Sequence, residues 1–132
     1  MLEPRLITVP RFGDPRGSLC VIERAHLPFP PKRFYYLYDI PADARRAGHA
    51  HFTEHELMVA LGGSFSVLAD DGCTRTEFRL DRPDLALHIP PLVWHEVHSF
   101  TPGSVCAVLA STDYDAREYC RDYAQFLEAR RA

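Results

Sequence analysis

Short runs in which apolar and polar residues alternate recur along most of the chain, over 5–9, 19–23, 33–38, 55–61, 64–69, 74–80, 86–89, 95–100 and 105–111. Successive side chains of a strand point to opposite faces, so such runs, separated by turn residues, predict an all-β sandwich or barrel. Leu61-Gly62-Gly63-Ser64 predicts a tight hairpin, because glycine supplies the positive φ that such turns need, and Asp70-Asp71-Gly72 predicts another. The 11 prolines fall mainly between the runs, where they stiffen loops without interrupting a ladder. The period changes near the C-terminus. Tyr119, Tyr123, Phe126 and Leu127 recur at helical spacing, and Asp115 with Glu118 has the form of a capping box. One amphipathic helix over about 115–131 is predicted, its apolar stripe covering the barrel of its own chain or of a partner.

With 132 residues, 46% of them hydrophobic, the chain suits a single domain, 1–132, around one core. No apolar stretch approaches the roughly 20 residues that span a bilayer. Met1-Leu2-Glu3-Pro4-Arg5 has no basic leader followed by an apolar block, so neither signal peptide nor membrane anchor is expected, and the location expected is cytoplasmic. A net charge of −3 and dispersed cations argue against a nucleic-acid partner. Cys20, Cys73, Cys106 and Cys120 lack C-x-x-C spacing and read as reduced thiols.

Candidate chemistry concentrates at His49-Ala50-His51. In an extended strand, residues two apart share a face, so both imidazoles project into one space while the small Ala50 turns away. Such a pair suits metal ligation, and it equally suits acid-base work near neutrality. Glu56 follows five residues after His51, then the Gly62-Gly63 turn, and Pro90-Pro91-Leu92-Val93-Trp94-His95 sets a further histidine on a later strand.

This order resembles the two motifs of the cupin superfamily, H-x-H-x4-E-x6-G and P-x-G-x-x-H. The first is matched across His49, His51, Glu56 and Gly63; in the second, Leu92 stands where glycine is usual. The fold so implied is an all-β cupin double-stranded β-helix, a jelly-roll barrel, with one C-terminal α-helix. Asp14-Pro15-Arg16-Gly17-Ser18-Leu19, Lys32 to Tyr36, Arg46 to His51, Trp94-His95-Glu96 and the Tyr114…Phe126 tail together look like the sugar 3,4-ketoisomerases. That resemblance implies an isomerase that moves the carbonyl of dTDP-4-keto-6-deoxyglucose from C4 to C3. It also implies a homodimer with exchanged N-terminal strands and no metal.

Such a reaction removes a proton beside a carbonyl and returns one through an enediol, and so calls for two adjacent acid-base groups. The resemblance makes His49 the base at C3 and His51 the partner that shuttles a proton, or the two with these roles exchanged. Arg16, Arg33 and Arg46 are candidates for the pyrophosphate, since guanidinium meets phosphate in a forked geometry. Tyr35 or Tyr36 is a candidate for the sugar oxygens, and Trp94 for stacking on thymine or lining the barrel mouth. His95 should face the cavity, whereas Glu96 and His98 alternate to the other face. His26, His55 and His88 have no motif behind them.

Two positions depart from the ketoisomerase pattern. Ala47 precedes Gly48, so the glycine is displaced by one position, and Glu56 stands where glutamine is common. A carboxylate among imidazoles makes a better divalent-metal site than an amide. The alternative is therefore a metal-dependent cupin enzyme with His49, His51, Glu56 and His95 as ligands, or a non-catalytic sugar-nucleotide-binding cupin.

Overall fold

A computed structural model describes residues 2–132. The strands are β1 Arg5–Thr8, β2 Arg11–Asp14, β3 Gly17–Cys20, β4 Arg33–Leu37, β5 Arg46–His51 and β6 Glu56–Gly62, then β7 Phe65–Asp70, β8 Arg75–Leu80, β9 Leu85–Ile89, β10 Trp94–His98, β11 Val105–Ala110 and β12 Tyr119–Cys120. One helix, α1 Tyr123–Arg131, ends the chain. Two five-stranded sheets, β1-β9-β6-β11-β4 and β12-β5-β10-β7-β8, carry only antiparallel pairs and form the jelly roll of a cupin. Strand alternation turns Met58, Leu87 and Val108 of the first sheet toward Phe65, Val67 and Val97 of the second, and these make the main core. Among the described residues no helix is long and apolar enough to cross a membrane.

Two further layers cover the outer faces. Val9, Leu27 and Phe29 of the N-terminal segment lie on Leu57, Val59 and Ala86 of the first sheet. There His55 Nδ1 meets His88 Nε2 at 3.0 Å, the rings stacked, and burial takes His88 down to about 4. On the second sheet, Phe126 of α1 packs with Ala50, Trp94 and Cys120. The hairpin β2–β3 stands apart from both sheets, with every residue exposed.

The C-terminal helix is shorter than the predicted 115–131. Asp115 caps only a single 3₁₀ turn over Ala116–Glu118, and Tyr119–Cys120 then pairs with β5. The α-helix begins after Asp122, whose side chain accepts from the Gln125 N–H. Asp122 and Gln125 are thus the cap spacing that counts, and Glu118 is used elsewhere. The Gly62-Gly63 hairpin is a second correction. β6 and β7 belong to different sheets, so this turn is a corner between sheets, whereas Asp70-Asp71-Gly72 does close the β7–β8 hairpin.

Gly63 sits at φ +61, and a Cβ there would lie 2.6 Å from Ser104 Oγ and 2.8 Å from Ser104 Cα. Gly48 has φ +80 with nothing within 4 Å of such a Cβ. Both substitutions to alanine carry the left-handed backbone penalty of about 1–2 kcal/mol, and only the first adds a steric one of about 1–3 kcal/mol. Thermal denaturation should therefore show Gly63→Ala destabilised by about 3 kcal/mol and Gly48→Ala by about 1 kcal/mol. Equal losses would refute the steric account.

Candidate active site

The space between the sheets opens as a cavity of about 580 Å³, a size that suits a small ligand. On β5, His49 and His51 turn inward, and Ala50, fully buried, turns outward under α1; a larger side chain at 50 would push the helix away. The approach to His49 is irregular. Ala47 (φ +63) and Gly48 (φ +80) are both left-handed, and the β10 register shifts so that His95 faces His49 while Glu96 faces Ala47. This bulge holds the displaced glycine and re-aims the strand so that the imidazoles meet. Leu92, where the second motif usually has glycine, is likewise left-handed at φ +57, and its N–H bonds His51 O at 2.8 Å.

Four rings gather at the cavity floor. His49 lies edge-on to His51, His95 and Tyr119 at centroid distances of 4.8, 4.9 and 4.8 Å, and His51 lies 4.6 Å from Tyr119. From the facing sheet, Glu56 places Oε1 3.5 Å from His95 Nε2 and Oε2 3.5 Å from His51 Nε2. The Tyr35 hydroxyl donates to Glu56 Oε2 at 2.8 Å. His49, Tyr35, Glu56, His95 and Tyr119 line the cavity, whereas His51, 2% exposed, stands behind them.

Burial and neighbours set the charge states. Burial above all, with His95 and His51 beside it, lowers His49 to about 2, so it is unprotonated near neutral pH. Burial raises the Tyr35 hydroxyl, helped by Glu56, and Tyr35 stays a phenol. Burial alone would neutralise Glu56, but the imidazoles of His51 and His95 outweigh it and hold the carboxyl well below its usual range. A second buried carboxyl, Glu54, is pushed up to about 7, mainly by burial and also by its contact with Glu56, against the hydrogen bond from Thr112.

The profile of the family described as FdtA: WxcM-like, C-terminal, matches residues 2–131. The chain belongs to this family. Its ketoisomerase relatives are close over nearly the whole length. The TDP-4-oxo-6-deoxy-alpha-D-glucose-3,4-oxoisomerase of Aneurinibacillus thermoaerophilus is 40% identical over 126 residues, 95% of this chain and 91% of that protein. The crystal structure of a 3,4-ketoisomerase from Helicobacter canadensis superposes with a TM-score of 0.94 at 33% identity, covering 100% of both chains. QdtA, a sugar 3,4-ketoisomerase from Thermoanaerobacterium thermosaccharolyticum solved in complex with TDP, gives 0.94 at 33% identity over 97% of this chain and 94% of that one. The protein is a sugar 3,4-ketoisomerase.

Against this ketoisomerase fold, the expected residues divide. His49, Arg33, Tyr35, Arg46, Glu56 and His95 line the cavity. Trp94 does not: alternation sends it outward to Tyr123 and Phe126, and its Nε1–H donates to Glu96. Glu96 and His98 share that outer face and pair with Arg45 and Glu77. Tyr36 is 55% exposed on the outside of β4, beside Phe34 and Tyr38. Arg16 lies on the isolated hairpin, paired with Asp14 at 2.7 Å, away from the cavity of its own chain. Arg33 gives Nη2 to Glu54 at 3.4 Å, while its Nη1 is buried without a partner.

Tyr114, Tyr119, Arg45 and Arg121 also line the cavity and escaped sequence reading. Tyr119 was hidden by its helical spacing from Tyr123. The Asp122–Gln125 cap spacing was the available signal that it precedes the helix. Arg121 follows from the same error, its guanidinium lying 4.8 Å over the Tyr119 ring.

The donors suit a divalent transition metal by type. His49, His51 and His95 form one group within 4.8 Å, and His51, Glu54 and Glu56 form another. His49 Nδ1, His51 Nδ1 and Nε2, and Glu56 Oε1 are buried without hydrogen-bond partners. The four expected ligands thus divide between two groups that share His51.

Proposed function

We propose that this ketoisomerase acts on dTDP-4-keto-6-deoxyglucose and moves its carbonyl from C4 to C3 through an enediol, with protons carried by its own side chains. The observation that carries the reading is a neutral, cavity-lining His49 edge-on to a second histidine in a cavity whose lining includes Arg33, Arg45, Arg46 and Arg121. His49 takes the C3 proton, His51 passes a proton from O3 to O4 of the enediol, and His49, its proton exchanged with solvent, returns one to C4. The arginines suit the diphosphate of a nucleotide sugar. The solved relatives include an enzyme in complex with TDP and a variant in complex with TDP-4-keto-6-deoxyglucose, 34% identical.

The same reading makes the protein a homodimer in the cytoplasm. Phe12 and Leu19 are 64% and 56% exposed on the free-standing β2–β3 hairpin, and Phe34, Tyr36 and Tyr38 form an exposed aromatic row on the edge strand β4. Apolar area of this extent on a small chain suits a second copy, through exchanged N-terminal segments. The four cysteines are free thiols, which fits a reducing compartment.

A second reading has one observation in its favour, the unpartnered donor atoms. A divalent ion held by the three histidines with Glu56 would act as a Lewis acid on the sugar carbonyl. It would also occupy the lone pairs that proton transfer needs. Incubation with dTDP-4-keto-6-deoxyglucose in deuterated water, followed by NMR, should give a 3-keto product carrying solvent deuterium at C4. Exhaustive chelation should leave the rate unchanged. No product and no exchange at C3 would sink the substrate assignment, and loss of activity on chelation, restored by metal, would replace proton transfer by the metal reading.

A further inference from the structure

The turn between β5 and β6 buries Glu54, 1% exposed, which belongs to neither cupin motif. A charge-bearing group is costly to bury, so a site that keeps one must hold it from several sides. The Thr112 hydroxyl donates to Glu54 Oε1, and Arg33 Nη2 lies 3.4 Å away. Glu118, freed from its expected capping role, accepts from the Thr53 N–H and hydroxyl and from the Glu54 N–H at 2.7 Å, and so pins the turn itself. The carboxyl these contacts fix is aimed at His51. Glu54 Oε2 is 3.4 Å from His51 Nε2, and Glu56 Oε2 is 3.5 Å from the same nitrogen. Among the described residues neither His51 nitrogen has a hydrogen-bond partner, so the two carboxyl groups act on Nε2 through these close contacts and Nδ1 is left without a polar partner of its own.

A neutral imidazole carries its hydrogen on one nitrogen and a lone pair on the other, and the surroundings select which. A lone pair on Nε2 would face the oxygens of two carboxyl groups; a hydrogen there is attracted to both. We propose that Glu54 is a positioning residue for the isomerisation: together with Glu56 it fixes His51 as the Nε2–H tautomer and leaves Nδ1 as the nitrogen that takes up and returns the proton. This rests on the ketoisomerase reading of the site and adds a group to it. The imidazole gains and loses one proton per turnover and ends as it began, so the step needs no oxidant, reductant or co-reactant.

The test uses Glu54→Gln, whose amide N–H₂ can donate to Nε2 and so favours the opposite tautomer, and Glu54→Leu, which removes the group. With dTDP-4-keto-6-deoxyglucose as substrate, kcat should fall by about 10- to 100-fold in both, the scale seen when a group that fixes the tautomer and orientation of a metal-bound imidazole is removed. KM and the Kd for TDP should stay within about twofold of wild type, a split that general loosening of the fold would not give. In ¹⁵N NMR of labelled histidine, His51 should be Nε2–H in the wild type and shift toward Nδ1–H in Glu54→Gln. Unchanged kcat in Glu54→Gln, an unchanged tautomer, or a loss confined to KM would each overturn the proposal. If Glu54→Leu does not fold, Glu54→Gln, which has the same shape, decides alone. A wild type inactive on this substrate would sink the parent reading, and the tautomer would still decide the place of Glu54.

Discussion

Replacing His49 by asparagine should lower kcat by about 10²–10⁴-fold, the usual worth of a general base, or about 3–5 kcal/mol in the barrier. TDP binding and the thermal midpoint at pH 7–8 should stay near wild type. The reasoning starts from burial. His49, taken down to about 2 by desolvation and by its histidine neighbours, is unprotonated when substrate arrives, so its lone pair is available. An imidazole held that low is a weak base toward a free proton. An enediolate beside it and the substrate's diphosphate bring negative charge into the cavity, and that charge raises its proton affinity at the moment the C3 proton moves. His49 Nδ1 has no hydrogen-bond partner, so the substitution breaks no bond that holds the fold. The measurements are steady-state kinetics, deuterium exchange at C3 by NMR, and TDP titration. Wild-type turnover in His49→Asn would remove it as the base.

How far the sequence leads depends on whether a residue's neighbours in space are also its neighbours in pattern. Strand alternation on β5 and β10 placed His49, His51, Glu96 and His98 on their observed faces, because a period of two holds wherever a strand is regular. The same rule applied to Trp94 sends it outward, one residue from His95, yet its aromatic character suggested the mouth; the helix it packs against lies about 30 residues downstream. Tyr119 fitted a helical stripe and a two-residue strand equally well, and only pairing with His51 across the fold decides between them. Glu54 carries no local signal at all. Its meaning comes from Thr112, Arg33 and Glu118, which the chain brings from three different segments. Arg16 is legible only as part of a surface hairpin, and in its own chain it pairs with Asp14 away from the cavity.

Replacing His51 by asparagine should reduce kcat on the same scale as the His49 variant, about 10²–10⁴-fold, but the two should part on the pH axis of stability. Glu56 is depressed in the folded state because the attraction of His51 and His95 exceeds the cost of burial. A depressed carboxyl stabilises the fold above its unfolded value, near 4.5, and that stabilisation is lost as pH falls through the folded value. Without His51 one of the two attractions goes, the folded value climbs, and the stabilisation above pH 4.5 shrinks. Glu54, already raised to about 7 by burial, loses a stabilising neighbour in the same variant and climbs further, so its ionisation above neutrality costs more. The His51→Asn midpoint should therefore sit close to wild type near pH 4 and fall below it toward pH 8, by about 1–3 kcal/mol, since each tenfold loss of carboxyl acidity is worth about 1.4 kcal/mol. His49→Asn behaves in the opposite sense. A histidine lowered to about 2 costs the wild type stability as pH falls below 6.5, so removing it leaves the midpoint unchanged near pH 8 and raises it relative to wild type near pH 4. Thermal melts of both variants from pH 4 to 8 check this directly. Parallel curves would mean that the two imidazoles share one environment, and the division between a cavity-lining base and a relay held by carboxylates would fall.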